Sequence, residues 1–171
     1  TGVQTCALPI CIGLLSEALA LRMGVDARTA AMLRCAAPMH DVGKIGIPDH
    51  VLKKPGALTP EERAVMNRHP HIGVEILGQS RIPLFQLAAE VALSHHERWD
   101  GKGYPEGLCG EQIPFEARLI AVCDTVDAMA SDRPYHRGKL WQEIITEIKR
   151  SSGSHFDPCV ASAFVQLLEN S

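Results

Sequence analysis

Two adjacent histidines, His95 and His96, end an apolar stretch and open the run Glu97-Arg98-Trp99-Asp100-Gly101-Lys102-Gly103-Tyr104-Pro105. Paired imidazoles ahead of a charged, glycine-rich segment are costly to keep unless they bind something. A second donor pair, His40-Asp41, also follows an apolar stretch and leads into Val42-Gly43-Lys44. With His69 and Asp124 these residues form a dispersed set of nitrogen and oxygen donors. The chain must fold so that distant segments converge on them. Imidazole and carboxylate suit Mn, Fe or Zn, and no Cys-x-x-Cys pair offers a structural zinc site. The donor set points to a metal-dependent hydrolase.

The segments between the donors read as helices throughout. Leu14, Leu15, Ala18, Leu19 and Leu21 recur at helical spacing up to a stop at Gly24. Asp26 is placed to cap a second helix through Ala30, Leu33 and Ala37 toward His40, with Pro38 loosening its last turn. Gly43 and Gly46 are expected to break the chain and Pro48 to restart it. Thr59-Pro60-Glu61-Glu62 carries the elements of a capping box, and that helix is predicted to end near His69-Pro70. A short helix to Leu77 stops at Gly78. A helix from Pro83 ends at His95-His96. Residues 97–114 form a long loop, of the kind that is usually functional inside a compact domain. Helices follow over Phe115–Met129, around Asp124, over Lys139–Arg150, with Leu140, Ile144, Ile145 and Ile148 apolar, and from Asp157-Pro158 to the end. The predicted fold class is all-α, a single helical bundle.

Composition narrows the function classes. The 171 residues suffice for one domain, and the net charge of −3 leaves no basic footprint for long nucleic acid. No apolar run reaches the roughly 18 residues of a membrane span. Six scattered cysteines read as reduced, mostly buried thiols of a cytoplasmic protein. Residues 1–10 read as the in-frame translation of a sequencing adapter, which leaves residues 11–171 as the domain, its first helix truncated.

The donors allow specific chemistry. The two oxygens of Asp41 can bridge two metal ions. His69, His95 and His96 can complete one shell, and Asp124 can reach the other ion from a different helix, as in helical dimetal proteins. Two ions about 3.5–4 Å apart clamp a phosphate and activate water. Lys44, one turn beyond His40, is placed to neutralise a phosphate oxygen. The bland alternatives are that His69 merely closes a helix and that Arg133 forms a helix-end salt bridge rather than a phosphate or guanine contact. Asp124 sits among Leu119, Ile120, Ala121, Val122, Cys123 and Val126, where a carboxylate needs a charged partner or a metal. His50, His71 and His155 read as surface or capping residues.

In combination, His40-Asp41-Val42-Gly43-Lys44-Ile45-Gly46-Ile47-Pro48-Asp49 resembles the His-Asp signature of the HD-GYP family, and His95 to Pro105 its Gly-Tyr-Pro signature. Lys54-Pro55-Gly56, Leu58-Thr59, Arg133-Pro134-Tyr135 and His155-Phe156-Asp157-Pro158 match as well. The resemblance runs from about Leu14 to the C-terminus. It implies an HD-superfamily bundle and a bacterial phosphodiesterase acting on cyclic di-GMP, giving linear pGpG and then GMP. It implies metal ligands at His40, Asp41, His69, His95, His96 and Asp124, holding two divalent ions, Fe or Mn. Lys44 and Asp41 would be catalytic, and Lys44, Arg133 and Tyr104 would contact substrate. It also implies contacts with diguanylate cyclase domains through the Gly-Tyr-Pro loop, with Asp100, Lys102 and Tyr104 exposed, and a sensor or receiver domain upstream.

The sequence departs from the family at three places. His136 stands where the family often has lysine or arginine, with Arg137 next. A further family histidine and glutamate fall at Leu8 and Gln4. Pro38 can shift His40. These departures keep open a catalytically weak module that binds cyclic dinucleotide or a cyclase without hydrolysis. A mixed cyclic GMP-AMP dinucleotide or a mononucleotide phosphate are alternative substrates.

Overall fold

In the computed structural model, which describes residues 9–131 and 138–169, the chain is a helical bundle. The described residues contain no strand beyond two isolated bridges, Asp100 to Cys109 and Ser152 to Phe156. Helix α1 (Pro9–Arg22) turns back through Gly24, whose φ of 82° suits glycine, into α2 (Ala27–Ala36). Asp26 caps α2 by accepting hydrogen bonds from the amides of Arg28 and Thr29. Pro38 is expected to loosen the last turn of α2, but the chain instead tightens there into a 3-10 turn over Ala37–Met39.

Short helices α3 (Asp49–Leu52) and α4 (Pro60–Met66) follow. The Thr59 capping box is present, with the Thr59 amide donating to Glu62 and the Glu62 amide to the Thr59 hydroxyl. The predicted end of this helix at His69-Pro70 is corrected: α4 stops at Met66, and His69 is the first residue of α5 (His69–Leu77). Pro70 lies in the first turn of α5, where its missing N–H would have had no helical partner. Helices α6 (Pro83–Ser94), α7 (Phe115–Ala130), α8 (Trp141–Ser151) and α9 (Pro158–Glu169) complete the bundle.

The main core joins α1, α2, α7, α8 and α9 through Leu19, Leu33, Leu119, Ile120, Ile148 and Phe164. A smaller apolar cluster, Ala36, Leu77, Ala88, Ala89 and Ala92, ties the end of α2 to α5 and α6. Leu140, expected on the apolar side of α8, is exposed just before the helix begins. The cysteines are also corrected. Of the described thiols only Cys123 is buried, while Cys35, Cys109 and Cys159 are exposed and free. No described helix is long and apolar enough to cross a membrane.

The expected breaks at Gly43 and Gly46 are instead a continuous 3-10 segment, Val42–Gly46, packed against α5. Glycine is needed there for contact rather than for a turn. A Cβ on Gly43 would lie 1.9 Å from the His69 carbonyl oxygen and 2.5 Å from the Gly73 nitrogen, both backbone atoms that cannot swing aside. This close approach sets Asp41 against His69. Gly43→Ala should therefore destabilise the fold by about 1–3 kcal/mol through overpacking and push α5 away from Asp41. Urea unfolding measures the first effect. An unchanged midpoint would contradict the contact.

Candidate metal centre

All six predicted donors arrive at one place, each delivered by a helix end or a helix face. His40 and Asp41 follow the turn that ends α2, His69 opens α5, His95 and His96 follow α6, and Asp124 projects from α7. Asp41 sits among them. Its Oδ1 is 3.4 Å from His69 Nε2 and 3.7 Å from His95 Nε2. Its Oδ2 is 3.4 Å from His40 Nε2 and 2.5 Å from Lys44 Nζ. His40 Nε2 is also 3.5 Å from Asp124 Oδ1. The ligand atoms of Asp41, His69, His95 and His96 all lie within 4.8 Å of one another.

The imidazoles are oriented by the backbone. His40 Nδ1 lies 2.7 Å from the Ala37 carbonyl, His69 Nδ1 2.9 Å from the Met66 carbonyl and His95 Nδ1 3.0 Å from the Ala92 carbonyl. A carbonyl only accepts, so each Nδ1 carries a proton and each ring turns its Nε2 inward. This is how metal-binding histidines are usually held. Asp41 Oδ1, His69 Nε2 and His95 Nε2 are buried without a hydrogen-bond partner. Each such atom costs roughly 1–3 kcal/mol if nothing satisfies it, and here three converge. A divalent cation that accepts mixed nitrogen and oxygen ligands fits this cluster. Cys123, beside Asp124 in sequence, is fully buried in the core and offers no thiolate to the site.

The charges agree with a cation site. Burial opposes a proton on His40, but hydrogen bonding to Asp124 and Asp41 outweighs it and lifts the group to about 10. A bound cation would occupy the place this proton holds between the two carboxylates. Asp41, despite burial, is held far below the usual carboxylate range by His40, His95 and Lys44. His96 is pushed down to about 2 by burial and by the neighbouring His95 and His69, and burial also lowers His69. Both are therefore neutral imidazoles, the form that binds metal.

The loop after His96 is built around a residue that the sequence reading passed over. Glu97 is 2% exposed, and its carboxylate accepts hydrogen bonds from the amides of Glu106, Gly107 and Leu108 at 2.7–3.1 Å. It folds the loop back on itself, so that Tyr104 stacks on the His96 ring, with centroids 4.7 Å apart. Of the three loop residues expected to be exposed, only Lys102 is. Asp100 forms a paired ion contact with Arg98, and Tyr104 is partly buried against His96. No local sequence signal marks Glu97, because its partners are backbone amides nine to eleven residues on.

His155, read as a surface or capping residue, is corrected. It is half-buried and lines a cavity of about 500 Å³ together with His95, His96 and Asp124. Its carbonyl accepts from the Trp99 amide, and the Ser154 carbonyl accepts from the Asp100 amide. Arg118 locks the same corner by an ion pair to Asp157 at 2.7 Å while lying over the Trp99 and Phe115 rings. His50 and His71 are exposed, as expected. Arg133, His136, Arg137, Leu8 and Gln4 lie outside the described residues.

Mn(II) should raise the melting temperature of the chain, and a chelator should reverse the rise. At a hundredfold excess over Kd the gain is about 2.7 kcal/mol. Asp41→Asn should remove most of this shift. A full shift in that variant would place the metal elsewhere.

Comparison with known proteins agrees with this geometry. The HD domain family model matches residues 5–160. A protein named cyclic di-GMP phosphodiesterase from Thermotoga maritima is 49% identical over 156 residues, which cover 91% of this chain and 42% of that protein. The cyclic di-GMP phosphodiesterase response regulator RpfG of Xanthomonas campestris pv. campestris is 46% identical, covering 90% of this chain and 40% of its own length. A Vibrio cholerae 3'3'-cGAMP-specific phosphodiesterase is 43% identical, over 86% of this chain and 28% of that protein. The chain thus spans about two fifths, or less, of these relatives. Among solved structures, an HDG"Y"P protein from Bdellovibrio bacteriovorus shares the fold with a TM-score of 0.71 at 20% identity, over 94% of this chain and 51% of that one. With the family model matched along most of its length and the His-Asp and Gly-Tyr-Pro segments both at the donor cluster, this chain belongs to the HD domain family, in its HD-GYP branch.

Proposed function

We propose that this chain is the catalytic domain of a metal-dependent phosphodiesterase that opens cyclic di-GMP to linear pGpG and cleaves that product on to GMP, as part of bacterial second-messenger signalling in the cytoplasm. The observation that carries the reading is the Asp41 carboxylate. One oxygen faces His69 and His95, the other faces His40 and Lys44, and Oδ1 is buried without a partner.

On this reading His40, Asp41 and Asp124 hold one divalent ion, and Asp41, His69, His95 and His96 hold a second, with Fe or Mn suited to the mixed donors. Bound ions supply Lewis-acid charge to a phosphoryl oxygen and make water acidic enough to attack at neutral pH. The protein groups do the rest. Lys44, partly exposed beside Asp41, presents a cation to a phosphate oxygen. Tyr104 keeps its phenolic proton, because burial and the nearby Asp41 push it up to about 12. It therefore donates to a substrate oxygen while holding the His96 ring. Arg133 completes the substrate contacts. Lys102, exposed at the loop surface, is the point from which the Gly-Tyr-Pro loop meets a diguanylate cyclase domain. A sensor or receiver region in the full-length protein supplies the input, in line with the greater length of the relatives and with the response regulator among them.

A second substrate reading is favoured by one finding, the 43% identical relative named as specific for 3'3'-cGAMP. Anaerobic incubation with Fe(II) or Mn(II) and each cyclic dinucleotide, followed by chromatography, separates the two. The reading predicts pGpG from cyclic di-GMP and a loss of about a thousandfold, near 4 kcal/mol, in Asp41→Ala. Tight binding without product would instead make the chain a binding module. Turnover surviving in Asp41→Ala would refute the mechanism.

A further inference from the structure

The cavity beside the donor cluster has a second polar wall that the metal ligands do not use. His95, His96 and Asp124 line one side of its roughly 500 Å³, and Lys139 and His155 also line it. That volume lies within the range of sites that enclose a whole small ligand, well beyond what one phosphate group fills. Met129 of α7 contributes an apolar, polarizable surface to the same cavity.

Lys139 is held there by the backbone. Its amide donates to the Met129 carbonyl at 2.8 Å, which ties the segment entering α8 to the end of α7. Its side chain is exposed and forms no ion pair with a described residue. The competitor for its charge is Glu147 on α8, which lies within electrostatic range. Glu147 is already engaged, with both oxygens 2.8 Å from Arg150 Nη2 and one also accepting from the Ser151 hydroxyl. The Lys139 charge is thus left for the cavity. The ring of His155 stacks on Phe156, with centroids 4.3 Å apart and planes 14° from parallel. The backbone bonds of residues 154 and 155 to Asp100 and Trp99 fix its place. It offers the cavity an oriented imidazole, able to donate one hydrogen bond to an anion when neutral.

A cyclic dinucleotide carries two phosphates, and only one of them can lie on the donor cluster. We infer that Lys139 and His155 form the subsite for the phosphate that is not cleaved, so that the cavity selects a dinucleotide over a mononucleotide phosphate. This subsite rests on the phosphodiesterase reading for its ligand class, but its own residues are separate from the metal ligands.

The test is binding and turnover of cyclic di-GMP by the Mn(II)-loaded chain, its Lys139→Gln, Lys139→Arg and His155→Ala variants. Loss of one charged hydrogen bond predicts a Kd and KM about tenfold higher in Lys139→Gln, with kcat altered much less. Lys139→Arg should restore most of the affinity, which a purely structural role would not require. His155→Ala should weaken binding in the same direction, and circular dichroism checks that each variant is folded. Lys139-dependent binding without hydrolysis would sink the phosphodiesterase reading and leave the subsite standing. Hydrolysis with Kd and KM unchanged in Lys139→Gln would overturn the subsite alone. A folded, metal-loaded chain that neither binds nor cleaves the dinucleotide would overturn both.

Discussion

The Asp41 carboxylate is the point at which the two halves of the donor cluster meet. Without a cation this arrangement is unfavourable. Asp41 Oδ1 and two imidazole nitrogens point at one another from within hydrogen-bonding range of nothing else. A polar core that is left half satisfied destabilises a fold, and one completed by a cation rigidifies it. The bundle therefore holds two buried, backbone-oriented imidazoles, His69 and His95, in a state that a bound cation relieves. Lys44 and the proton on His40 supply part of that charge in the metal-free chain.

The rest of the fold serves this convergence. Helix ends make good platforms for donors because their last carbonyls are free to orient side chains. His40, His69 and His95 each use such a carbonyl, from Ala37, Met66 and Ala92, to fix their Nδ1 proton. The contact of Gly43 with the His69 backbone carries the first helix pair to α5. The apolar α1–α2–α7 packing places Asp124 within 3.5 Å of His40. Beyond the donors, Glu97 and the Arg118–Asp157 pair hold two loops in register, so that Tyr104 and His155 both border the site.

Much of this was legible in the sequence, because caps and apolar periodicity are local signals. Asp26, Thr59 and Gly24 act as read, and His40, Asp41, His95 and His96 stand at the helix ends that the pattern marks. What escaped was non-local. Pro70 reads as a terminator until His69 is seen to begin a helix. Gly43 reads as a breaker until α5 is seen lying against it. Glu97 is passed over because its three partners are amides nine to eleven residues on, and backbone groups leave no mark in a sequence. His155 reads as a surface histidine because its neighbours in the cavity come from α6 and α7, far away along the chain.

The central claim is that Asp41 is shared between two ion positions rather than belonging to one. Electron paramagnetic resonance of the chain titrated with Mn(II), together with its metal content, tests this directly. Sharing predicts two Mn(II) per chain and a spectrum of exchange-coupled ions, reverting to isolated Mn(II) in Asp41→Asn. A single uncoupled Mn(II) per chain at saturation would contradict it.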